Sequence, residues 1–279
     1  MDLIQSIVMG IVQGLSEFLP ISSSGHLVFS SSFYKIFKGI QIVEESNQEI
    51  FFDIMLHLGT LIAVLFFFRK EILEIIKALY FGLKEKKYDN PDFKMGVYIV
   101  LGTLITVAIA YPLNEFAGDL VFKPHVVGIL LVITGVLLLS SEYFSKKHSE
   151  KRPFNLKNSI LIAISQGLAA LPGFSRSGLT ISMGLFCGMD RAMAAKYSFL
   201  LSIPIILGSS MLYPIIKLDL KEVISFDWFP IIVGTIVSGF VGYLCIKYFL
   251  KFVSKFSLSV FGYYCLLMGI FTFIFFVNK

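Results

Sequence analysis

The sequence is poor in charge, has few cysteines and contains a single tryptophan. Charged residues make up 15% of its 279 positions, whereas 56% are hydrophobic and the mean hydropathy is +0.80. A soluble globular domain carries about 25% charged residues. This shortage of charge excludes an ordinary soluble domain and indicates an integral membrane protein.

The three cysteines lie in apolar segments and lack the short spacing of a metal site. We therefore assign Cys187, Cys245 and Cys265 to packing. The start of the chain lacks the cationic region of a cleavable signal peptide. We expect it to stay on the mature protein.

Long apolar runs are abundant instead. Six of them approach or exceed the length that crosses a bilayer. They are 50–68, 97–112, 126–144, 197–216, 230–250 and 258–277. Two more apolar stretches, about 1–19 and 157–189, are interrupted by proline, glycine and serine, so neither is predicted to be one straight helix. The predicted fold is all-α integral membrane, with about six transmembrane helices plus two re-entrant helical hairpins.

Lysine and arginine are unevenly divided between the polar segments. One set of segments, which holds 17 of the 24 basic residues, is 69–96, 145–157, 189–196 and 247–257. The other set, which holds six, is 30–49, 113–125, 217–229 and the C-terminal tip. Because cytoplasmic loops carry the excess, the first set is predicted to face inside. The net charge of +5 then lies next to membrane lipid headgroups and requires no nucleic-acid partner.

The sequence also repeats itself. Residues Gln13–Gly25 align with Gln166–Gly178, and both run from Gln-Gly-Leu through Leu-Pro to Ser-x-Ser-Gly. With the predicted loop orientation, the two copies enter the membrane from opposite sides. The chain is therefore predicted to be a single membrane domain, 1–279, made of two inverted repeats, about 1–145 and 157–279.

Inverted repeats built on broken helices place their site near the bilayer midplane, where the interruptions meet. We therefore expect Glu17–His26 to lie near Ser175–Thr180. Irregular backbone at this depth is tolerated only where protein or a wet cavity covers it. The sequence thus predicts a polar site inside the membrane.

The second copy of the repeat places an arginine within an apolar segment. A charge near the bilayer centre costs at least ~2.5–3.5 kcal/mol, so Arg176 marks a functional site with an anionic partner. The hydroxyls of Ser175, Ser177 and Thr180 surround it at the start of an apolar helix. Helix N-terminal amides, hydroxyls and a guanidinium together suit phosphate oxygens. These four residues are candidate ligands of a diphosphate.

The first copy supplies groups for chemistry. Gln13 and Glu17 are spaced i,i+4, so they share a helical face and could hold a divalent cation, Mg²⁺ or Ca²⁺. Ser22 and Ser24 add hydroxyls for the diphosphate at the turn that follows Pro20.

The nucleophile is either Ser23 or His26. A serine nucleophile needs His26 or Glu17 as its base, whereas a histidine would form a phosphohistidine. The sequence does not separate these alternatives, and we prefer Ser23 assisted by His26. The set Glu17, Ser23, His26 and Arg176 is then the catalytic group for hydrolysing a phosphoanhydride. Farther along, Asp53 and His57 either support the site or face water.

These motifs carry a family resemblance. The pairing of Gln13-x-x-x-Glu17-Phe-Leu-Pro-x-Ser-Ser-x-Gly25-His26 with Pro172-Gly-x-Ser-Arg-Ser-Gly-x-Thr180 resembles the undecaprenyl pyrophosphate phosphatases of bacteria, also called bacitracin-resistance proteins. The resemblance implies a multi-pass enzyme of the plasma (inner) membrane with an outward-facing site. Its substrate would be undecaprenyl diphosphate, which it converts to the monophosphate carrier for peptidoglycan synthesis.

The resemblance also implies which residues matter. They are Glu17, Ser23, His26, Ser175, Arg176, Ser177 and Thr180. It further implies a divalent cation, although many members have glutamate where this chain has Gln13, which offers only a neutral carbonyl. A homodimer is compatible with the sequence.

A second class of function fits inverted repeats with a polar site at the midplane. A secondary transporter or lipid-carrier flippase has the same organisation, as would a dual enzyme and transporter. The crowding of nucleophile, base and phosphate ligands in one place exceeds what transport requires. The sequence therefore favours a hydrolase.

Overall fold

The computed structural model describes residues 2–39, 46–121, 123–147 and 153–277. Within these ranges it contains twelve helices. In chain order they are α1 (Leu3–Ser16), α2 (Ser23–Phe37), α3 (Asn47–Phe67), α4 (Arg69–Glu85), α5 (Pro91–Val121), α6 (Pro124–Lys147), α7 (Leu156–Leu168), α8 (Arg176–Phe186), α9 (Arg191–Lys217), α10 (Leu220–Ile224), α11 (Trp228–Val253) and α12 (Ser259–Phe276).

Six of these helices are long and apolar enough to cross a membrane, namely α3, α5, α6, α9, α11 and α12. The predicted all-α membrane fold is thus confirmed. The apolar runs 97–112 and 126–144 belong to longer helices. Each of these begins at a proline, Pro91 in α5 and Pro124 in α6. Proline favours the first helical position because its fixed φ suits a helix and its missing N–H costs no hydrogen bond there.

The two interrupted stretches form pairs of short helices. α1 and α2 have 14 and 15 residues, and α7 and α8 have 13 and 11. All four are shorter than the ~20 residues that span a bilayer. Each pair packs together, and a non-helical turn separates its two members.

Each turn ends in a serine that caps the helix after it. Ser22 caps α2 by accepting a hydrogen bond from the Gly25 amide (3.2 Å), and Ser175 caps α8 by accepting one from the Gly178 amide (3.0 Å). The aligned Ser-x-x-Gly sequences therefore have the same local role. The first turn starts earlier than expected, because α1 ends at Ser16 rather than at Pro20.

The segment 69–96 is not the simple polar loop that its charges suggest. It contains α4 and the start of α5, which pack together. Gly82 allows α4 and α5 to approach each other closely, since a Cβ there would lie 2.3 Å from the Phe93 ring. The apolar residues Ile75 and Gly82 are buried on this face of α4.

Glycines allow a close helix contact between α6 and α12. A Cβ on Gly269 would lie 2.6 Å from the carbonyl oxygen of Gly128, and one on Gly135 would lie 2.8 Å from that of Gly262. In lipid, where apolar side chains gain little by leaving the solvent, such close backbone packing is a main source of helix association. α1 packs on α11 in the same way through Gly14.

The helix contacts form matching sets. α1 packs on α11 as α7 packs on α5, while α3 meets α9 and α6 meets α12. Exchanging the two predicted repeats converts the α1–α11 contact into the α7–α5 contact and maps the α3–α9 and α6–α12 contacts onto themselves. The inverted orientation of the repeats stays a prediction.

Segments that the basic residues assign to one side also touch each other. On one side, Asn47 of α3 donates to Glu222 of α10 (2.9 Å). At the other end, Glu142 of α6 binds Arg191 of α9 (2.6 Å) and accepts from the Leu258 amide (3.0 Å). Which of these two ends faces outside stays a prediction.

The glycine contact gives a test of the packing. We expect Gly269→Ala to reduce the free energy of unfolding by about 1–3 kcal/mol, because its methyl group must push the α6 backbone away. The matched control is Gly208→Ala, since nothing lies within 4 Å of a Cβ there. Thermal unfolding in detergent measures both, and equal Tm values for the two variants would contradict this account of α6 and α12.

Candidate functional site

The two turns meet on one carboxylate. Glu17 follows α1 directly, Ser23 begins α2 and Arg176 begins α8. One oxygen of Glu17, Oε1, accepts a hydrogen bond from Arg176 (2.6 Å), and the other, Oε2, accepts one from the Ser23 hydroxyl (2.8 Å). Glu17 is only 6% exposed. The structure thus brings together the two motifs that the repeat predicted to be neighbours.

Gln13 lies beside this carboxylate, as the i,i+4 spacing predicts. Its amide nitrogen donates to Oε2 of Glu17 at 3.1 Å. Its amide oxygen is buried and has no hydrogen-bond partner among the described residues. An unpaired buried acceptor is costly, so this oxygen is a free ligand position next to Glu17.

The oxygen atoms of Glu17 and Gln13 fit a divalent cation only in part. Among the described residues, no group of three His, Cys, Asp or Glu side chains could hold a metal. One oxygen of Glu17 already forms an ion pair with the guanidinium of Arg176. Mg²⁺ commonly binds one or two protein carboxylates together with substrate phosphates rather than a protein cage. The residues therefore fit a cation that the substrate shares, with Glu17 and Gln13 as its protein ligands.

Both ring nitrogens of His26 have partners other than Ser23. Its Nδ1 lies 2.7 Å from the carbonyl oxygen of Ser22, which can only accept, so Nδ1 carries the proton. Nε2 then accepts from the hydroxyl of Tyr264 on α12 (2.7 Å), and the two rings stack. In this arrangement the proton acceptor beside Ser23 is Glu17, not His26.

The hydroxyl residues of the predicted site, which are the candidate nucleophile Ser23 and the five hydroxyl ligands predicted for the diphosphate, fall into two groups by exposure. Ser23 and Ser24 are half-buried. The others are at most 2% exposed, namely Ser22, Ser175, Ser177 and Thr180. The buried hydroxyls hold the turns: that of Ser177 donates to the carbonyl of Leu19 (3.0 Å) and joins the second hairpin to the first. Direct contact of these buried hydroxyls with phosphate stays a prediction.

Thr180 braces the arginine through a neighbouring span. Its hydroxyl lies 2.7 Å from the carbonyl oxygen of Arg176, one turn earlier, and 2.7 Å from the hydroxyl of Ser198 on α9. The carbonyl oxygen of Ser198 in turn accepts from the guanidinium at 3.4 Å. Ser198 and Thr180 therefore hold the start of α8 and the side chain of Arg176 in place.

A third span adds a histidine. Nε2 of His57, on α3, lies 3.7 Å from Oε2 of Glu17, and its Nδ1 donates to the backbone carbonyl of Asp53 (2.8 Å). The sequence left open whether His57 supports the site or faces water. The structure places it at the site, with 30% of its side chain exposed.

Sequence reasoning missed two members of this arrangement. Ser198 drew no attention, although it is a polar residue in an apolar span. Tyr264 has no role in the sequence analysis either, yet its hydroxyl binds His26. Neither has a local sequence signal, because each reaches the site from a distant helix.

The electrostatics of the site favour an anion. The N-termini of α2 and α8 converge here, and the first amides of a helix have no intrahelical acceptor. Together with the guanidinium of Arg176 they make a positive site around one buried carboxylate. A phosphate bound there would lie beside the hydroxyl of Ser23 and the carboxylate of Glu17, which are hydrogen-bonded to each other.

Known proteins resemble the chain along nearly its whole length. The family described as bacitracin resistance protein BacA matches residues 6–271. An undecaprenyl-diphosphatase of Methanobrevibacter smithii is 38% identical over 98% of this chain and 97% of its own length. One of Halothermothrix orenii is 38% identical over 97% of this chain and 96% of its own. The undecaprenyl-diphosphatase 2 of Halalkalibacterium halodurans is 36% identical over 99% and 97%.

The buried ion pair of Glu17 and Arg176 predicts a large coupling energy between the two residues in the free energy of unfolding. We expect Arg176→Met alone to destabilise the protein by about 3–5 kcal/mol, because it leaves the carboxylate of Glu17 buried without a counter-charge. The double variant Glu17→Gln/Arg176→Met should lose less than the two single variants together. Unfolding in detergent measures the cycle.

An exposed pair serves as the control. Asp89 and Lys94 also form an ion pair, but the side chain of Asp89 is fully solvated. The same cycle on Asp89→Asn and Lys94→Met should give a coupling of at most about 1 kcal/mol. Equal coupling energies for the two pairs would show that burial of Glu17 has no energetic consequence.

Proposed function

Because this chain belongs to the bacitracin resistance protein BacA family, we propose that it is an undecaprenyl-diphosphate phosphatase. It hydrolyses undecaprenyl diphosphate to undecaprenyl phosphate and inorganic phosphate, and so recycles the lipid carrier of cell-wall synthesis. The description of the family as bacitracin resistance proteins supports the further proposal that this activity confers resistance to bacitracin. The observation that carries the mechanism is the double engagement of Glu17, by Arg176 and by Ser23.

Ser23 is the nucleophile in this mechanism. As its Oγ attacks the terminal phosphorus, its proton passes to Oε2 of Glu17, which already accepts its hydrogen bond. The new Oγ–P bond replaces the anhydride P–O bond, and undecaprenyl phosphate leaves. Water then hydrolyses the phosphoserine, which releases inorganic phosphate and restores Ser23.

Arg176 binds the phosphoryl oxygens. A guanidinium has five N–H donors, and the contacts to Glu17 and Ser198 leave others for substrate. A dianionic phosphate also competes with Glu17 for the guanidinium, which leaves the carboxylate a better base. The N-terminal amides of α2 and α8 add neutralising dipoles that are already oriented before the reaction.

His26 has a supporting part. Its bonds to Ser22 and Tyr264 keep the first turn of α2 in place, and its lone pair on Nε2 is occupied by Tyr264. A phosphohistidine on His26 would require the loss of that bond. This favours Ser23 over His26 as the nucleophile.

A divalent cation, Mg²⁺ or Ca²⁺, belongs to the proposal as a companion of the substrate. Glu17 and Gln13 would hold it, and when bound it would neutralise charge on the phosphate oxygens.

The six apolar helices make this a multi-pass membrane protein. We place it in the plasma membrane of a bacterium, with the site open to the outside. The support is the distribution of lysine and arginine.

Phosphate release tests the catalytic roles. With purified protein and undecaprenyl diphosphate in detergent, we expect Ser23→Ala and Arg176→Ala to lower kcat by at least about 10³-fold and Glu17→Gln by about 10²–10⁴-fold. His26→Gln should have a smaller effect than any of these. A chelator should lower the wild-type rate, and added Mg²⁺ or Ca²⁺ should restore it.

The control for this series is Ser31→Ala, on the same helix two turns beyond Ser23, which should keep the wild-type rate. No release by the wild type with any divalent cation would remove the phosphatase function. Near-normal turnover by Ser23→Ala would remove Ser23 as the nucleophile.

Cysteine labelling tests the orientation. We expect an impermeant thiol reagent to label Lys123→Cys, between α5 and α6, in intact cells, because that loop is predicted to face outside. Lys255→Cys, between α11 and α12, should react only after lysis. The reverse pattern would place the site on the cytoplasmic side, and the unsubstituted chain corrects for its three natural cysteines.

A further inference from the structure

A row of aromatic rings leads away from the site between α2 and α12. We define the aromatic row by its members, which are His26, Phe29 and Phe33 on α2 and Tyr264, Phe271, Phe275 and Phe276 on α12. Ring contacts within and between the two helices connect all seven members. None of these side chains carries a permanent charge, so the row is an apolar surface that starts at the site.

The row follows from helical spacing. His26, Phe29 and Phe33 stand at i, i+3 and i+7, which places them on one face of α2. Phe271 and Phe275, spaced i,i+4, form the corresponding stripe on α12. Both α2 and α12 pack on α6, so the rings fill the space between two helices that share one support.

The ring contacts extend along α2, away from its first residue, Ser23. His26 stacks on Tyr264 with ring centres 5.6 Å apart. Farther along α2, Phe29 meets Phe276 at 6.5 Å and Phe33 meets Phe275 at 5.3 Å. From Ser23 to the level of Phe33 the helix rises about 15 Å.

The row has a buried floor and an open edge. Phe29 and Phe276 are each 5% exposed, whereas Phe33 is 45% and Phe271 is 48% exposed. A chain lying on the row would therefore rest on packed rings and touch the bilayer along its open side. That geometry suits a long, flexible hydrocarbon that enters sideways from the membrane.

We propose that the aromatic row binds the polyisoprenoid chain of the lipid diphosphate, along the isoprene units nearest the phosphates. The assignment rests on the proposed function, since it takes the diphosphate to lie at Ser23. His26 joins the two places, because its Nδ1 donates to the Ser22 carbonyl while its ring begins the row. A diphosphate at Ser23 thus has its lipid chain beside His26.

The row also offers selectivity. Methyl-branched, unsaturated isoprene units present flat, polarizable surfaces to aromatic faces, and many such weak contacts add up. Straight acyl chains of ordinary phospholipids match this surface less well. The row would then favour the prenyl substrate over the lipids that surround it.

Substrate length gives the first test. For wild type, we compare KM for undecaprenyl diphosphate with KM for dimethylallyl diphosphate, whose single isoprene unit is too short to reach Phe33. We expect Phe33→Ala/Phe271→Ala to raise KM for undecaprenyl diphosphate about tenfold relative to KM for dimethylallyl diphosphate. The matched control is Phe240→Ala on α11, a membrane-facing phenylalanine that is 66% exposed and lies outside the row.

A second test reads binding rather than turnover. We expect a thiol reagent to modify Phe33→Cys in detergent, and undecaprenyl phosphate to slow that reaction several-fold. Phosphatidylglycerol at the same concentration should not slow it. The matched site Phe240→Cys should react equally fast with either lipid.

The outcomes separate this assignment from the proposed function. An unchanged KM ratio in Phe33→Ala/Phe271→Ala, or equal protection of Phe33→Cys by both lipids, overturns the aromatic row as the prenyl site while phosphate release by the wild type still stands. If the wild type releases phosphate from neither substrate, the proposed function fails and this assignment fails with it.

Discussion

Two opposite charges meet in a part of the molecule where neither could remain alone. The carboxylate of Glu17 and the guanidinium of Arg176 are 2.6 Å apart, and the carboxylate is almost fully buried. Desolvating a single charge costs several kcal/mol, and a partner in good geometry offsets that cost. Because the charges come from different hairpins, the pair requires both broken helices to be folded and in register. The site therefore exists only in the complete bundle.

The polar turns around this pair obey the same constraint. In a membrane, backbone N–H and C=O groups without water must find partners in the protein. Ser22 and Ser175 supply them at the helix starts, and the hydroxyl of Ser177 supplies one to the other hairpin. Most of the serines that resemble phosphate ligands thus also hold the turns. Only Ser23 and Ser24 keep appreciable exposure, which concentrates the chemistry at the start of α2.

Stability and reaction make opposite demands on Arg176. In the structure Arg176 neutralises Glu17, whereas in the proposed mechanism it also binds phosphate. The support from Thr180 and Ser198 fixes the guanidinium while its partner changes. The glycine contacts, such as that of Gly128 with Gly269, keep α12 close to α6, the helix on which α2 also packs.

The sequence by itself determined the features that depend on near neighbours. Hydropathy over one span length predicted six membrane helices, and the i,i+4 spacing predicted the contact of Gln13 with Glu17, because both follow from helix geometry alone. The alignment of the two motifs also placed Arg176 near Glu17. Only the tertiary structure decided that Glu17 rather than His26 receives the Ser23 hydrogen bond. It also brought Ser198 and Tyr264 to the site, because contacts between distant helices depend on the packing of the whole bundle, for which no local spacing carries a signal.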